Sequence, residues 1–250
     1  MFFTYNEYQI YYEKHGNKKK SILILPGWGE TRSTFINLIN SLKKDYTVYI
    51  IDYPGFLKSP FPNHDMSIYD YAEIVKAFIK EKKLSNLSIL SHSFGGRIAI
   101  ILAGKHQLSI NKMVLIDVAG INRFSLKKKI KTLVYKSLKL LSIFLPQKQK
   151  DKYLSYLFRR FSSSDYSSLN SNMYNTFKSI ITTDLKKYVK DIKCPSLIIW
   201  GDNDLDTPLY IGKYLNKHIP DSGLIILKGT HFIYLEHPLI IYKIIKEFIK

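Results

Sequence analysis

The stretch "LSHSFGG", Leu90 to Gly96, decides how the rest of the chain is read. An apolar run, Leu87 to Leu90, leads into it, and an apolar stretch with helical spacing, Phe94 to Lys105, leads out. That pattern predicts a strand, an abrupt turn and a helix. At so sharp a turn the apex residue, Ser93, is forced into a strained backbone that lifts its hydroxyl above the strand. The residues two before and two or three after must be small, because the chain segments nearly touch there. Ser91, Gly95 and Gly96 meet that requirement. The helix N-terminus sets the Phe94 N–H beside the hydroxyl, where it is able to hold an oxyanion. A Ser/Gly helix cap would carry the same letters, so the turn is weighed against its surroundings.

Outward from this turn, strands and helices alternate. Phe2–Tyr5 and Tyr8–Glu13 are predicted to form a hairpin. Ser21–Leu25, Thr47–Ile51, Met113–Ile116, Ser196–Trp200 and Leu224–Leu227 are predicted strands. Helices are predicted over 33–42, with Phe35, Leu38, Ile39 and Leu42 inward, and over 67–82, with Ile68, Tyr71, Ala72, Val75 and Ile79 inward. Two more are expected near 209–215 and over 238–250. This rhythm implies βαβ units and a mostly parallel sheet. The continuous apolar runs "SILIL", "VYII", "MVLI" and "SLIIW" suit strands covered on both faces. The rhythm breaks over 118–191, a Ser-, Lys- and Tyr-rich segment with helical spacing. Residues 1–117 and 192–250 therefore read as a core, and 118–191 as an inserted helical lid over the C-terminal strand ends, where open α/β sheets bind ligands.

Composition narrows the functional classes. At 46% hydrophobic and 14% aromatic residues, the 250-residue chain has ample material for one large core. No run of 18 uninterrupted apolar residues predicts a transmembrane helix. The N-terminus lacks a basic, apolar leader pattern, so a cytoplasmic location is the expectation. The single cysteine, Cys194, excludes an internal disulfide and a Cys-based metal site. The formal charge of +18 comes from 33 Lys and five Arg alongside abundant Ile, Asn and Tyr. This is a solvated Lys-rich surface rather than an Arg-and-aromatic nucleic-acid patch, and no nucleic-acid partner is expected.

A reactive serine needs a base, and the base needs an orienting acid. His231 follows the last predicted strand, on a loop at the sheet edge that also carries Ser93. His15, His64, His92, His106, His218 and His237 lack that placement, and the His92 side chain is expected on the far side of its strand end. "GDNDLDTP" supplies Asp202, Asp204 and Asp206 after the strand ending at Trp200. Any of them that reaches the second nitrogen of His231 would fix its tautomer. Spacing does not choose among them, and Asp117, at the end of "MVLID", is a rival.

The order Ser93, an Asp of "GDNDLDTP", then His231 resembles the α/β-hydrolase superfamily, in its lid-bearing serine hydrolase and esterase branch. The resemblance runs along almost the whole chain. It includes "LPGWGE", similar to the family's oxyanion turn, "DYPGFLKS", similar to its D-x-x-G-x-G-x-S segment, and "EHP" after the histidine. Pro26, Leu57, Ser91 and Thr230 stand where the family has His, Gly, Gly and commonly Gly. The resemblance implies an α/β-hydrolase fold, with a mostly parallel sheet flanked by helices and an inserted lid. It selects Asp204 as the acid and assigns the oxyanion N–H groups to Trp28 and Phe94. A serine at the elbow sets the chain apart from the dehalogenase and epoxide-hydrolase branches, which use Asp there.

The reading that follows is cleavage of a carboxylic ester or thioester of a small or hydrophobic acyl substrate through an acyl-enzyme. It needs neither metal nor organic cofactor. The alternatives are a C–C bond hydrolase with the same three residues and a non-catalytic binding protein of the same fold. Residues 121–160 hold twelve Lys or Arg against one acid, Asp151, an excess of +11. Leu126, Ile130, Leu133, Val134, Leu138, Leu141 and Leu145 fall near one helical face of that segment. Such a basic amphipathic helix suits an acidic carrier protein or an anionic membrane surface as partner, besides lining the cleft with its apolar face.

Overall fold

The computed structural model describes residues 1–122 and 173–250 and, between them, residues 134, 137, 138, 140–142, 146, 149, 150 and 153. Eight strands are found among the described residues: β1 (Phe2–Tyr5), β2 (Tyr8–His15), β3 (Ser21–Leu25), β4 (Thr47–Ile51), β5 (Leu87–His92), β6 (Lys112–Ile116), β7 (Ser196–Gly201) and β8 (Ser222–Leu227). They form one sheet in the order β1-β2-β4-β3-β5-β6-β7-β8. The β1–β2 and β2–β4 pairs are antiparallel and the rest parallel. Every predicted strand is present, several longer by one or two residues.

The apolar runs behave as two-faced strands must. Every residue of β3, β4 and β7 is buried. Alternate side chains serve opposite layers: Leu23, Leu25 and Ile89 pack on one face, and Ile22, Ile24 and Leu90 on the other. The first layer is completed by α2 (Ile68–Glu81) and α3 (Phe94–Ile100), the second by α1 (Ile36–Leu42) and the C-terminal α8 (Pro238–Ile249). A 3-10 turn over Arg32–Phe35 opens α1. Ser67 begins α2 with a reciprocal capping box to Asp70, which is why the helix starts where it does. The inward stripe of α2 shifts slightly from expectation: Ile74 and Phe78 are buried, whereas Ile79 is half-buried. Past α3 the chain widens into a π turn over Ile101–Lys105.

Between β6 and β7 lie α4 (Tyr174–Thr182) and α5 (Lys186–Val189). The basic segment 121–160 and its apolar stripe fall for the most part outside the described residues. The two ends of the 118–191 stretch are pinned together on the core. Leu185 donates its N–H to the Gly120 carbonyl at 2.9 Å. The Asn122 amide donates to the Thr182 carbonyl at 3.2 Å, and the buried Arg97 of α3 donates to the Thr183 carbonyl at 2.9 Å. After β7 come α6 (Tyr210–His218) and, after β8, a short α7 (Ile233–Glu236) that helical periodicity is too brief to reveal. Among the described residues, no helix is long and apolar enough to cross a membrane.

The close approach expected around Ser93 is real, but neighbouring segments cause it. A Cβ on Gly95 would stand 2.0 Å from the Leu25 carbonyl oxygen at the end of β3. One on Gly96 would stand 2.2 Å from Val118 Cβ, just past β6. Gly95→Ala is therefore expected to lower stability by about 1–3 kcal/mol or more through overpacking. Gly223→Ala, whose Cβ meets no atom within 4 Å, is expected to leave stability unchanged or slightly raised. Urea unfolding of the two variants beside the parent checks this; equal midpoints would refute the packing account.

Candidate active site

Ser93 sits at φ +47°, ψ −114° between β5 and α3, a backbone that a non-glycine residue adopts only under constraint. The constraint is visible: its carbonyl accepts the N–H groups of Gly96 and Ala119, each at 3.0 Å, and its own N–H donates to the Ile116 carbonyl at 3.2 Å. Its N-cap position leaves the Phe94 N–H in the first turn of α3, where no intrahelical acceptor exists. Ser91, in place of a glycine, is fully buried and donates its hydroxyl to the Val114 carbonyl of β6 at 3.3 Å. The extra polar atom is thus satisfied within the sheet.

The structure brings together Ser93, His231 and Asp204. The Ser93 hydroxyl lies 2.9 Å from His231 Nε2, and His231 Nδ1 lies 2.8 Å from Asp204 Oδ2. Of the neighbouring acids, Asp202 instead accepts the Gly229 N–H at 3.1 Å, and the exposed Asp206 contributes its N–H to Asp204. Asp204 is nearly fully buried. Burial works to raise its pKa, but the His231 and Thr207 hydrogen bonds outweigh that and hold it below the usual value. Two N–H groups, from Asp206 and Thr207, reach Oδ1 at 2.8 Å each. The Thr207 hydroxyl approaches Oδ2 at 2.6 Å and His231 Nδ1 at 3.1 Å. Thr207 is a residue that sequence reading passed over, although its place three after an aspartate is the spacing of a local side-chain turn.

Asp204, Asp206 and His231 form the one group among the described residues whose donor atoms approach a metal-binding spacing, within 4.8 Å of one another. Yet the lone pairs of Asp204 are already engaged by hydrogen-bond donors. A cation would have to displace them, so the chemistry of this group is that of an oriented imidazole.

Asp117, the rival acid, is placed differently. It lies under β7, accepting the Gly201 N–H at 2.8 Å through Oδ1, and its backbone is left-handed at φ +45°. Burial pushes its pKa up to about 8, against the lowering effect of the Gly201 N–H. It is therefore largely protonated at neutral pH and is a structural acid rather than the partner of His231.

The turn that holds Trp28 packs onto the Ser93 turn. The Trp28 ring meets the Phe94 ring edge-on at 5.4 Å, and also Phe56 at 4.7 Å and Phe177 of α4 at 4.9 Å. These contacts hold the two expected oxyanion residues side by side under α4. Pro26, standing for a histidine, gives its carbonyl to the Tyr53 hydroxyl at 3.3 Å. In "DYPGFLKS", Asp52 pairs with Arg32 at 2.5 Å and Ser59 donates to the Asp52 carbonyl at 2.7 Å. Leu57 takes the left-handed backbone, φ +50°, that glycine would favour there. Thr230, in place of a glycine, uses its N–H and hydroxyl to bind Glu236. That explains why "EHP" follows the histidine at this distance.

His92 departs from expectation. Rather than standing apart from the histidine loop, it packs against it, ring to ring with His231 at 4.7 Å, and its Nε2 donates to the His231 carbonyl at 2.7 Å.

The raised pKa of Asp117 carries a sign. Between its unfolded value near 4 and its folded value of about 8, the unfolded chain has lost a proton that the folded chain keeps, so stability falls as pH rises through that window. The slope from this group approaches about 1.4 kcal/mol per pH unit. Asp117→Asn keeps the acceptor for Gly201 and is expected to flatten the decline between pH 5 and 8 in chemical denaturation. An unchanged slope would contradict the assignment.

Several known proteins are similar to this chain along nearly its whole length. A pimeloyl-(acyl-carrier protein) methyl ester esterase of Wigglesworthia glossinidia brevipalpis is 26% identical, covering 94% of this chain and 95% of the relative. Human serine hydrolase BPHL is 24% identical, covering 98% of this chain and 84% of the relative. The crystal structure of MGS-M2, an α/β-hydrolase enzyme from a deep-sea metagenome library of the Medee basin, superposes with a TM-score of 0.77 at 24% identity, covering 99% and 96% of the two chains. The profile of the α/β-hydrolase fold family matches residues 20–238. With that match and the eight-stranded sheet, the chain belongs to the α/β-hydrolase fold family.

Proposed function

We propose that this protein is a serine hydrolase that cleaves a carboxylic ester or thioester of a small or hydrophobic acyl group, with Ser93 as nucleophile, His231 as general base and acid, and Asp204 as the orienting carboxylate. The observation that carries this is the unbroken contact chain from Ser93 Oγ through both nitrogens of His231 to Asp204 Oδ2. His231 Nε2 takes the Ser93 proton as Oγ bonds to the acyl carbon. The N–H groups of Trp28 and Phe94 receive the developing oxyanion. His231 then returns the proton to the departing alcohol or thiol. Water attacks the acyl-enzyme by the same route, giving a free acid and restoring Ser93.

The half-buried rings of Trp28 and Phe56, with the buried ring of Phe177, stand over the Ser93 turn and favour an apolar acyl or aromatic group. The stretch 118–191 is proposed as the lid, supported by α4 resting on Trp28 and by the hydrogen bonds that join its two ends. The excess of twelve basic residues over one acid within 121–160 suits an acyl group delivered on an acidic carrier protein. The relative named for an ester of an acyl-carrier protein supports that preference.

The test is a panel of nitrophenyl esters, thioesters and a diketone, run with the parent and with Ser93→Ala. Ester or thioester turnover is expected, falling by about 10³-fold or more in the variant. Turnover of the diketone alone would move the assignment to C–C cleavage, and equal turnover by the variant would refute the role of Ser93.

A further inference from the structure

We propose that Glu30 and His92 form a buried positioning bridge that locks the oxyanion turn to the His231 loop and so sets how well the site fits the transition state. The proposal rests on the hydrolase reading above. Neither residue is among the three that contact chain links, and His92 lies beside Ser93 in sequence while serving a different segment.

The bridge is built from three parts of the chain. On the turn, Glu30 folds its carboxylate back so that Oε2 accepts the N–H of Gly27, the residue before Trp28. A Cβ at position 27 would stand 2.8 Å from that carboxyl carbon, so glycine is needed for Glu30 to reach in. At the end of β5, His92 Nδ1 lies 2.6 Å from Glu30 Oε1, and its Nε2 lies 2.7 Å from the His231 carbonyl. From α7, the Tyr234 hydroxyl donates to Glu30 Oε1 at 3.2 Å, and its ring packs on His92 at 4.9 Å.

The His92 side chain is 0% exposed and that of Glu30 is 8%. His92 Nε2 donates to the His231 carbonyl, and Nδ1 lies against the Glu30 carboxylate. The result is an imidazole ring held between the Glu30 carboxylate and the backbone of the loop that presents the base. Burial opposes the Glu30 charge, but the nearby His92, the Gly27 N–H and the Tyr234 hydroxyl prevail and keep its carboxyl below its ordinary pKa.

Removing His92 strands the Glu30 charge in a buried place, and losing either partner frees two loops whose relative placement matters. Trp28 N–H and His231 Nε2 must serve the same tetrahedral centre, and a misplacement of about 1 Å between such groups costs on the order of 10²-fold in rate. Because the bridge touches neither acyl nor leaving group, its loss falls on kcat more than on KM. Sequence reading missed Glu30 because it is the polar end of a glycine turn, where a solvent-facing acid is the ordinary reading.

The test uses Glu30→Gln, Glu30→Ala and His92→Asn in the full chain, each shown folded by circular dichroism and cooperative unfolding. Kcat for a nitrophenyl ester is expected to fall by roughly 10-fold to 10²-fold with KM little changed, with Glu30→Gln retaining more activity than Glu30→Ala. Affinity for a trifluoromethyl ketone, which forms a tetrahedral adduct on serine, is expected to fall in step with kcat/KM. Folded variants with parental kcat and ketone affinity would overturn the proposal. If those variants fail to fold, Tyr234→Phe, which removes the hydroxyl contact to Glu30 and keeps the ring on His92, decides: a smaller fall in kcat with KM little changed is expected, and parental kcat would overturn the proposal. Failure of the hydrolase reading is distinct, because it would show as full activity in Ser93→Ala.

Discussion

Everything at the proposed site depends on the forced turn at Ser93. A left-handed serine between a strand and a helix is unfavourable by itself, and it persists because the surroundings leave no alternative. Gly95 lies against the last carbonyls of β3, Gly96 lies against Val118, and the Ser93 carbonyl ties α3 to Ala119. Those contacts come from β3, β5 and the segment after β6, the middle of the parallel sheet. The sheet's two apolar layers therefore do more than stabilise the fold, since they hold the hydroxyl at the height where the loops after β7 and β8 bring Asp204 and His231.

The two acids near His231 show how environment divides like residues into different roles. Asp204 meets four donors and stays ionised, oriented toward Nδ1. Asp117 is left with one backbone donor at Oδ1 and is raised to about 8 by burial. Burial and hydrogen-bond supply together separate them.

Much of the fold was legible because it rests on short-range patterns. Runs such as "SILIL" and "SLIIW" mark strands buried on both faces, and the apolar stripe over 67–82 marks α2. That the serine and the histidine share one sheet edge was legible too, because Ser93 follows β5 directly and His231 lies on the loop just after β8. What escaped depends on long-range contacts. Ile74 and Phe78 outrank Ile79 on α2 because of the way the helix meets β1 and the neighbouring helices. Thr207, Glu30 and His92 acquire roles only when residues far apart in sequence, such as Glu30 and Tyr234, are brought within hydrogen-bond distance. The choice of Asp204 over Asp202 and Asp206 came from family resemblance, and the geometry supplies its physical reason: Asp202 turns to Gly229, and Asp206 stays in solvent.

The central claim is that Ser93 carries the acyl group between the two halves of the reaction. Rapid quenching during turnover of an activated ester, followed by intact-mass and peptide analysis, tests it most directly. The account predicts a mass increase equal to the acyl group, located on the peptide containing Ser93 and absent from Ser93→Ala. Turnover with the acyl group on a different residue, or an unchanged adduct in the variant, would contradict it.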